Sequence, residues 1–450
     1  VVFLSIMNIL RVKRKALELL DRVENDNSYL HLLLQNEADV SRGAPEEYPV
    51  LVQLVRGVLE HRAELDEALS PFLPRGLDSL PSPVRQILRM GAYQILFLER
   101  VKKRDVVFEA VELTKGGTFK GFSKLINAVL RKIEPSTGGD KNSGGATLNF
   151  PTWLIERWTN QFGRDEVEAF CEASNKPLPL YLRVNTLRTD TNQLGRDLEK
   201  EGVKTQPTIF SPNSLRVERL PKEKRLTQLG TFRRGAFFVQ DLSSTIVADI
   251  VGIGKPGTVC DVCAAPGGKA CSVALSIRTS RGVVHAFDHT QRRAGLIEEA
   301  VARLGLANVS VGVRDAASLP ESERERYDTV LLDAPCSGFG TLGRKIDVRW
   351  SKSENTIREL TEIQERLISC VAKLVKPGGF LVYSTCTIER AENEDIIESF
   401  LRSYADFEVE DLSGAIAEEL RTAEGFYRAW PHRHHMAGAF AAKLRKRRAV

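Results

Sequence analysis

Two short motifs place a cysteine among small and hydroxylated neighbours: Asp333-Ala334-Pro335-Cys336-Ser337-Gly338 and Ser384-Thr385-Cys386-Thr387. Each follows a short apolar run, Thr329–Asp333 and Phe380–Ser384, of the kind that forms a buried strand. A third such run, Thr258–Val262, leads into the turn Asp261-Val262-Cys263-Ala264-Ala265-Pro266-Gly267-Gly268-Lys269. A thiolate is a strong nucleophile. Two thiols at strand ends, beside a loop small enough to admit a nucleotide-type ligand, point to covalent chemistry on a group that does not react unaided. The competing reading is that both are buried small hydrophobes, the commonest fate of a free cysteine. Cys370, on an apolar helical face, fits that reading; the neighbours Asp333, Pro335 and Gly338 set Cys336 apart from it.

The turn Ala264-Ala265-Pro266-Gly267-Gly268-Lys269 lets backbone approach a ligand closely and opens onto a helix N-terminus. It is neither GxGxxG nor the GxxxxGK[ST] of a P-loop. Asp288 ends the next apolar run, where a carboxylate binds ribose hydroxyls, and Asp315 follows the run after that, where an adenine amino group would lie. Singly, each aspartate reads as a turn or cap residue. Together, on successive strand ends, they favour an adenosine-bearing ligand.

One reaction uses all these parts. Carbon 5 of cytosine is a poor nucleophile until a thiolate adds to carbon 6 and makes carbon 5 enamine-like. Cys386 and Cys336 are the candidate thiols. Asp333 is placed to bond the cytosine N3 or amino group, and Lys269 to lower a thiolate pKa or hold the Asp333 carboxylate.

The elements that must position these residues follow from periodicity. Val283–Asp288 and Val309–Arg314 complete a set of short, fully apolar strands, separated by helical segments such as Gln291–Leu304 and Asn355–Val375. That alternation predicts a doubly wound α/β domain with a parallel sheet from about residue 235, the thiols on adjacent strands and the run Ala437–Leu444 as an added edge strand. Tyr181–Asn185 and Ser214–Glu218 flank a helix at Thr191–Glu201, and Pro151–Ala173 reads as one or two helices, giving a small α+β subdomain over 149–234. Residues 1–135 carry helical stripes (Leu51, Leu54, Val55, Val58; Val84, Ile87, Leu88, Ala92, Ile95, Leu96; Phe122, Leu125, Ile126, Val129, Leu130, Ile133) and predict an all-α bundle. In it Ser82 is expected as an N-cap before Pro83, with Met90 and Tyr93 in the core. The run Pro135–Thr147 has linker composition, and the linker is placed at 136–148.

The 450 residues carry a net charge of +5, which permits a nucleic-acid partner without requiring one. Basic residues cluster at Lys102-Lys103-Arg104 and in the tail from Lys443 to Arg448; for such a tail a solvated end is as good a reading as a nucleic-acid contact. Seven cysteines, an odd number, suit a reducing compartment, and a cytoplasmic location is expected. Cys260-x-x-Cys263 has no second ligand pair, and His432, His434 and His435 have no partners at ligand spacing, so no metal is expected. No run approaches a membrane span. The apolar start Val1–Leu10 precedes its basic residues, the wrong order for a secretory signal, and reads as a helix start or an extension. A monomer is the default.

With these residues the chain resembles the RNA 5-methylcytosine methyltransferases of the RsmB/Sun family over nearly its whole length. Residues 261–269 resemble that family's S-adenosylmethionine loop, and Asp333–Gly338 its DAPCSG motif, continuing through Gly340-Thr341 to Asp347-Val348-Arg349-Trp350. Thr385-Cys386-Thr387 resembles its TCT motif, followed by Glu392-Asn393-Glu394; Arg183-Val184-Asn185 and Val239-Gln240-Asp241 match further segments. The resemblance implies a Rossmann-like class I fold binding S-adenosylmethionine through Cys263, Ala264, Ala265, Pro266, Gly267, Gly268, Lys269, Asp288, Asp315 and Asp333. It implies Cys386 as nucleophile and Cys336 as the thiol that assists product release. The first 135 residues resemble NusB, an RNA-binding antitermination fold, and that fusion implies cytosine 967 of 16S rRNA as the target. The same chemistry on tRNA or another rRNA, or a non-catalytic RNA-binding assembly factor, are the alternatives. The chain departs from the family at Lys345-Ile346-Asp347, at Ala437-Gly438-Ala439-Phe440 and in the acidic pair Glu46-Glu47.

Overall fold

A computed structural model describes residues 6–26, 29–40, 46–99, 101–115, 119–134, 148–221, 225–254, 256–278, 281–318 and 321–448. The linker-like run Pro135–Thr147 and the first five residues lie outside the described residues. The chain forms two compact units, Val1–Lys176 with Leu342–Lys352, and Pro177–Thr341 with Ser353–Val450.

The first unit is helical. Helices Ile6–Asn25, Leu30–Val40, Glu47–Glu60, Arg62–Leu69, Ser82–Phe97, Lys103–Thr114 and Ser123–Lys132 pack through the expected stripes, with Val55, Val58, Val84, Leu88, Ile126 and Leu130 fully buried. Met90 and Tyr93 are core residues; the Tyr93 ring lies against Gly57, where a Cβ would come within 2.0 Å of it. Ser82 does not cap its helix. The helix begins at Ser82 itself, and its hydroxyl shares its one proton between Asp21 (2.6 Å) and Glu24 (2.7 Å). Charge pairing takes precedence over capping because Glu24 is a hub, also accepting from Arg62 (2.8 Å), Arg85 (3.0 Å), Gln86 (2.9 Å) and Arg89 (3.2 Å).

Helices Thr152–Phe162 and Arg164–Ser174 belong to this unit, as does the returning segment Leu342–Lys352. That segment is anchored by polar groups as much as by apolar ones. Arg349 is fully buried and donates to the carbonyls of Asn149 and Ser174 (3.0 Å each). The Trp350 indole donates to the Leu59 carbonyl (2.9 Å), and Asp347 accepts from the Leu30 amide (3.2 Å).

In the second unit, β1 (Leu180–Val184), β2 (Lys204–Pro207), β3 (Ser214–Arg219) and β4 (Phe237–Val239) form an antiparallel sheet in the order β2-β3-β1-β4. Helix Thr191–Lys200, capped by Asp190, lays Leu194 and Leu198 in the same core as Leu182, Val184 and Leu215.

The larger sheet holds β5 (Thr258–Asp261), β6 (Val283–Asp288), β7 (Val309–Val313), β8 (Tyr327–Asp333), β9 (Val375–Thr385), β10 (Phe407–Val409), β11 (Tyr427–Ala429) and β12 (Ala439–Lys446). Its order is β10-β12-β9-β8-β5-β6-β7, with β11 also paired to β12. Strands β5 to β9 are mutually parallel. Successive residues alternate between two cores, as a strand demands: Val259, Leu331 and Val382 face helices Leu242–Gly252, Gly268–Ile277 and Gln291–Leu304. Val330, Leu332, Leu381 and Tyr383 face helices Glu354–Ala372 and Glu394–Ser403. This is the doubly wound sheet expected. One expectation fails: the last apolar run is not an edge strand. β12 lies between β9 and β10, antiparallel to both, because the short β10 and β11 take up its outer hydrogen bonds.

The hub in the first unit makes a testable statement about acid stability. Burial works against the Glu24 carboxylate, but Arg62, Arg89 and the Ser82 hydroxyl outweigh it and hold its pKa down at about 2. Arg62 is itself lowered to about 10 by burial and by Arg89, and stays charged at neutral pH. A depressed carboxylate stabilises the fold above its unfolded pKa and loses that contribution as pH falls towards its folded one. E24Q is expected to cost about 2 kcal/mol at pH 7, with the difference from wild type closing as pH falls from about 4.5 towards 2. Urea unfolding of both proteins across that range is the check.

Candidate active site

The sequence-predicted residues Asp288, Asp333, Cys336 and Cys386 lie at the carboxyl ends of β6, β8 and β9 or on the loops that follow, and Lys269 is in the first turn of helix Gly268–Ile277, after β5. The first loop is shaped by backbone. The Ala264 amide donates to Phe287 (2.8 Å) and the Gly267 amide to Ala264 (2.7 Å). Gly267 has φ +102° and starts helix Gly268–Ile277; a Cβ there would sit 3.2 Å from Ile297 as well as strain the backbone.

Asp288 is buried and accepts from the amides of Ala265 (3.0 Å) and His289 (2.9 Å) and from Arg293 Nε (2.7 Å). Burial opposes its ionisation, but Arg293 and these amides bring its pKa below the ordinary range. Asp315 is exposed and accepts from the Ala317 amide (2.9 Å).

A residue the sequence reading did not single out completes this corner. Asp261 ends β5, is 1% exposed, and neither carboxyl oxygen has a hydrogen-bond partner within bonding geometry among the described residues. Burial and the nearby Asp333 push its pKa up to about 8, against the Lys269 ammonium and the Cys263 amide, which favour the anion. A buried carboxyl with open acceptors suits a cationic ligand. The signal was an acidic residue at the end of the first parallel strand, the position already read at Asp288.

The register of β8 on β9 sets Asp333 opposite Ser384. The Asp333 carboxylate is held on both oxygens, by Lys269 Nζ (2.7 Å) and by the Ser384 hydroxyl (2.8 Å). Burial disfavours the Lys269 ammonium, yet Asp333 raises its pKa above the ordinary lysine value. Cys336 and Cys386 face each other with Sγ–Sγ 3.4 Å, and the Cys386 amide points at Cys336 Sγ (3.4 Å). The Cys386 thiol and then burial push the Cys336 pKa well up, so Cys336 is a neutral thiol beside its partner.

Beneath the thiols is a polar frame. Glu392 is fully buried; its carboxylate accepts from the Ser337 amide (2.8 Å), the Ser337 hydroxyl and Gln364 Nε2 (3.0 Å). Burial raises its pKa despite these donors. Asn393 accepts from Thr385 Oγ1 (2.6 Å) and donates to the Thr387 carbonyl (3.1 Å). The Gly340 amide donates to the Cys386 carbonyl (2.9 Å), and the Gly438 amide to the Gly340 carbonyl (2.8 Å).

Other residues singled out in the sequence lie elsewhere. Asp347 to Trp350 belong to the first unit. Asn185 Nδ2 ties the carbonyls of Gly235 (2.8 Å) and Leu304 (2.9 Å) together, and Asp241 caps helix Leu242–Gly252. The basic tail divides: Arg445, Arg447 and Arg448 are exposed, whereas Lys443 is buried, donates to the carbonyls of Ile250 and Ile253 (3.2 Å each), and is lowered by burial to about 8. His434 Nδ1 accepts from the Trp430 amide (2.9 Å). Among the described residues no group of three potential ligands could hold a metal. Lys103 and Arg104 line an open cavity of about 560 Å³ with Phe108, Glu112, Lys115 and Arg131.

Comparison with known proteins agrees with this architecture. Residues 254–445 match the family described as 16S rRNA methyltransferase RsmB/F, residues 11–135 the NusB family, and residues 150–221 the ferredoxin-like domain of RsmF/B-like methyltransferases. A probable ribosomal RNA small subunit methyltransferase B of Bacillus subtilis is 32% identical, over 97% of this chain and 99% of that protein. The crystal structure of PH0851 is similar with a TM-score of 0.79 and 29% identity, over 99% of this chain and all of that one. NSun6 from Pyrococcus horikoshii, solved with SFG, is similar with a TM-score of 0.60 and 25% identity, over 67% of this chain and 99% of that one.

Asp261 generates a prediction with a definite sign. A carboxyl whose folded pKa is raised makes the fold lose stability as pH climbs from the unfolded value to the folded one, here from about 4 to about 8. Without ligand, D261N is expected to melt at or above the wild-type temperature. Its advantage should grow across that pH window and level off above it. It is also expected to bind S-adenosylmethionine about 10-fold more weakly, the equivalent of one lost charged contact. Scanning calorimetry and titration calorimetry read the two effects.

Proposed function

The chain belongs to the RsmB/F family of 16S rRNA methyltransferases, enzymes that use S-adenosylmethionine, and from that membership we propose that it methylates carbon 5 of a cytosine in 16S rRNA, cytosine 967, through a covalent bond from Cys386 to carbon 6. The observation that carries the reading is the pair of thiols 3.4 Å apart, on strand ends next to the Lys269–Asp333 ion pair. The residues of the first loop fit the cofactor: a left-handed glycine, small side chains, and a buried carboxyl with open acceptors at Asp261. S-adenosylmethionine supplies an electrophilic methyl group on a sulfonium.

The roles of the chain's own residues follow. The Cys386 thiolate adds to carbon 6, forming the S–C bond and moving the ring electrons to carbon 5. Asp333, fixed by Lys269 and Ser384, bonds N3 or the exocyclic amino group and steadies the activated ring. Once carbon 5 carries the methyl group, its proton leaves, the carbon 6–sulfur bond breaks, and the ring double bond returns. Cys336, neutral and in contact with Cys386, assists that release. A stacked cytosine is out of reach of a strand-end thiol, so the base is flipped or looped out.

In this reading, residues 1–135 form an RNA-binding domain, 149–234 a small subdomain and 235–450 the catalytic domain. The basic cavity at Lys103 and Arg104 supports RNA as the partner. Among the described residues no helix is long and apolar enough to cross a membrane. Work on rRNA in the cytoplasm follows from the substrate proposed.

Wild-type protein, C386A and C336A, incubated with labelled S-adenosylmethionine and unmodified 16S rRNA and run on a denaturing gel, test this. Wild type is expected to label the RNA at one cytosine. C386A is expected to lose transfer by at least about 1,000-fold, as when a nucleophile is removed, while still binding the cofactor. C336A is expected to hold RNA in a covalent band. Labelling by C386A at the wild-type rate would exclude the nucleophile.

A further inference from the structure

The side chains that touch the Glu392 carboxylate sit against the Cys336 loop, and one further hydroxyl links them to the Cys386 loop. Ser337, next to Cys336, gives Glu392 two donors, its amide and its hydroxyl. Gln364 Nε2 bonds Glu392 and also the carbonyl of Pro335, the residue before Cys336 (2.8 Å). On the other side, Thr387, next to Cys386, contacts the Ser337 hydroxyl (2.7 Å). Ser337 has one hydroxyl proton, and Glu392 takes it. Thr387 must then donate to Ser337, and the Thr387 oxygen accepts from the Glu389 amide (3.2 Å). The Tyr383 hydroxyl, from β9 itself, fixes the Glu392 carbonyl (2.7 Å).

We infer that Glu392 is a positioning residue: its carboxylate sets the direction of the hydrogen-bond chain Thr387–Ser337–Glu392 and so holds the Cys336 loop against the Cys386 loop at the spacing the thiols need. The inference rests on the two-thiol reading above for its effect on catalysis, and on geometry alone for its effect on the thiols. Alanine at 392 removes the acceptor of the Ser337 amide and the Ser337 hydroxyl, and leaves Gln364 Nε2 with the Pro335 carbonyl alone. Glutamine keeps an acceptor for the two N–H groups but offers the Ser337 hydroxyl an amide donor, which reverses the chain.

Full-length wild type, E392A and E392Q are compared in two assays. The first needs no RNA. Diamide takes up two protons and two electrons as Cys336 and Cys386 join through a new Sγ–Sγ bond, and mass spectrometry follows that bond. Wild type is expected to couple the two thiols fastest, E392A about 10-fold more slowly, and E392Q in between. The second assay is steady-state methyl transfer. There kcat is expected to fall about 100-fold in E392A, the cost of misplacing a reacting group by about 1 Å. E392Q should recover part of that loss. KM for RNA and the dissociation constant for S-adenosylmethionine should stay within 2-fold of wild type, and the covalent protein–RNA band should accumulate.

Equal coupling rates in all three proteins, or thiols that do not couple in wild type, would overturn the inference. So would parallel losses in melting temperature, cofactor affinity and kcat, because that pattern marks a residue that only stabilises the fold. A wild type that leaves RNA unmethylated while coupling still depends on Glu392 would defeat the proposed reaction and leave the positioning role standing.

Discussion

The parallel pairing of β8 with β9 is the constraint on which the site depends. With Asp333 opposite Ser384, the chain leaves the sheet at the same level on both strands, and the two cysteines follow three and two residues later. A parallel sheet buried on both faces fixes register strongly, because a slip of one residue would turn Val330 and Leu332 from one core into the other. The thiol spacing is therefore inherited from hydrophobic burial well below the reactive atoms. The ion pair of Lys269 with Asp333 ties the start of helix Gly268–Ile277, which follows β5, to the same level.

Reading the sequence located this level because its signals are local. An apolar run that ends in an aspartate, a cysteine beside proline and glycine, and a turn of small residues each announce themselves within ten positions. The frame under the thiols was not legible. Glu392 is 55 residues from Ser337 and 28 from Gln364, and nothing in the run Glu392-Asn393-Glu394 says which of its carboxylates meets the Cys336 loop. Both are buried, but Glu392 takes the Ser337 and Gln364 donors whereas Glu394 pairs with Arg428.

The errors have the same origin. Ser82 had the look of a cap, but its hydroxyl serves carboxylates on a helix almost sixty residues upstream. Ala437–Leu444 had the look of an edge, and only the non-local strands β10 and β11 make it interior. Lys443 belonged to a run of basic residues, yet its stem and ammonium are buried where the carbonyls at the end of helix Leu242–Gly252 need a donor. Composition describes a run of charge; the sheet decides each member separately.

The meeting of Gly340 with Gly438 has a consequence for how the chain can vary. A Cβ on residue 340 would come within 2.0 Å of the Gly438 carbonyl, and one on residue 438 within 2.8 Å of the Gly340 Cα. In both directions the obstacle is main chain, so shrinking the side chain at one position gives no room to the other. Compensating exchange, the usual route by which packed pairs drift, is closed here. The two glycines are expected to be lost or kept independently of each other's neighbours, and a lineage that abandons either one would have to rebuild the loop that carries Cys336.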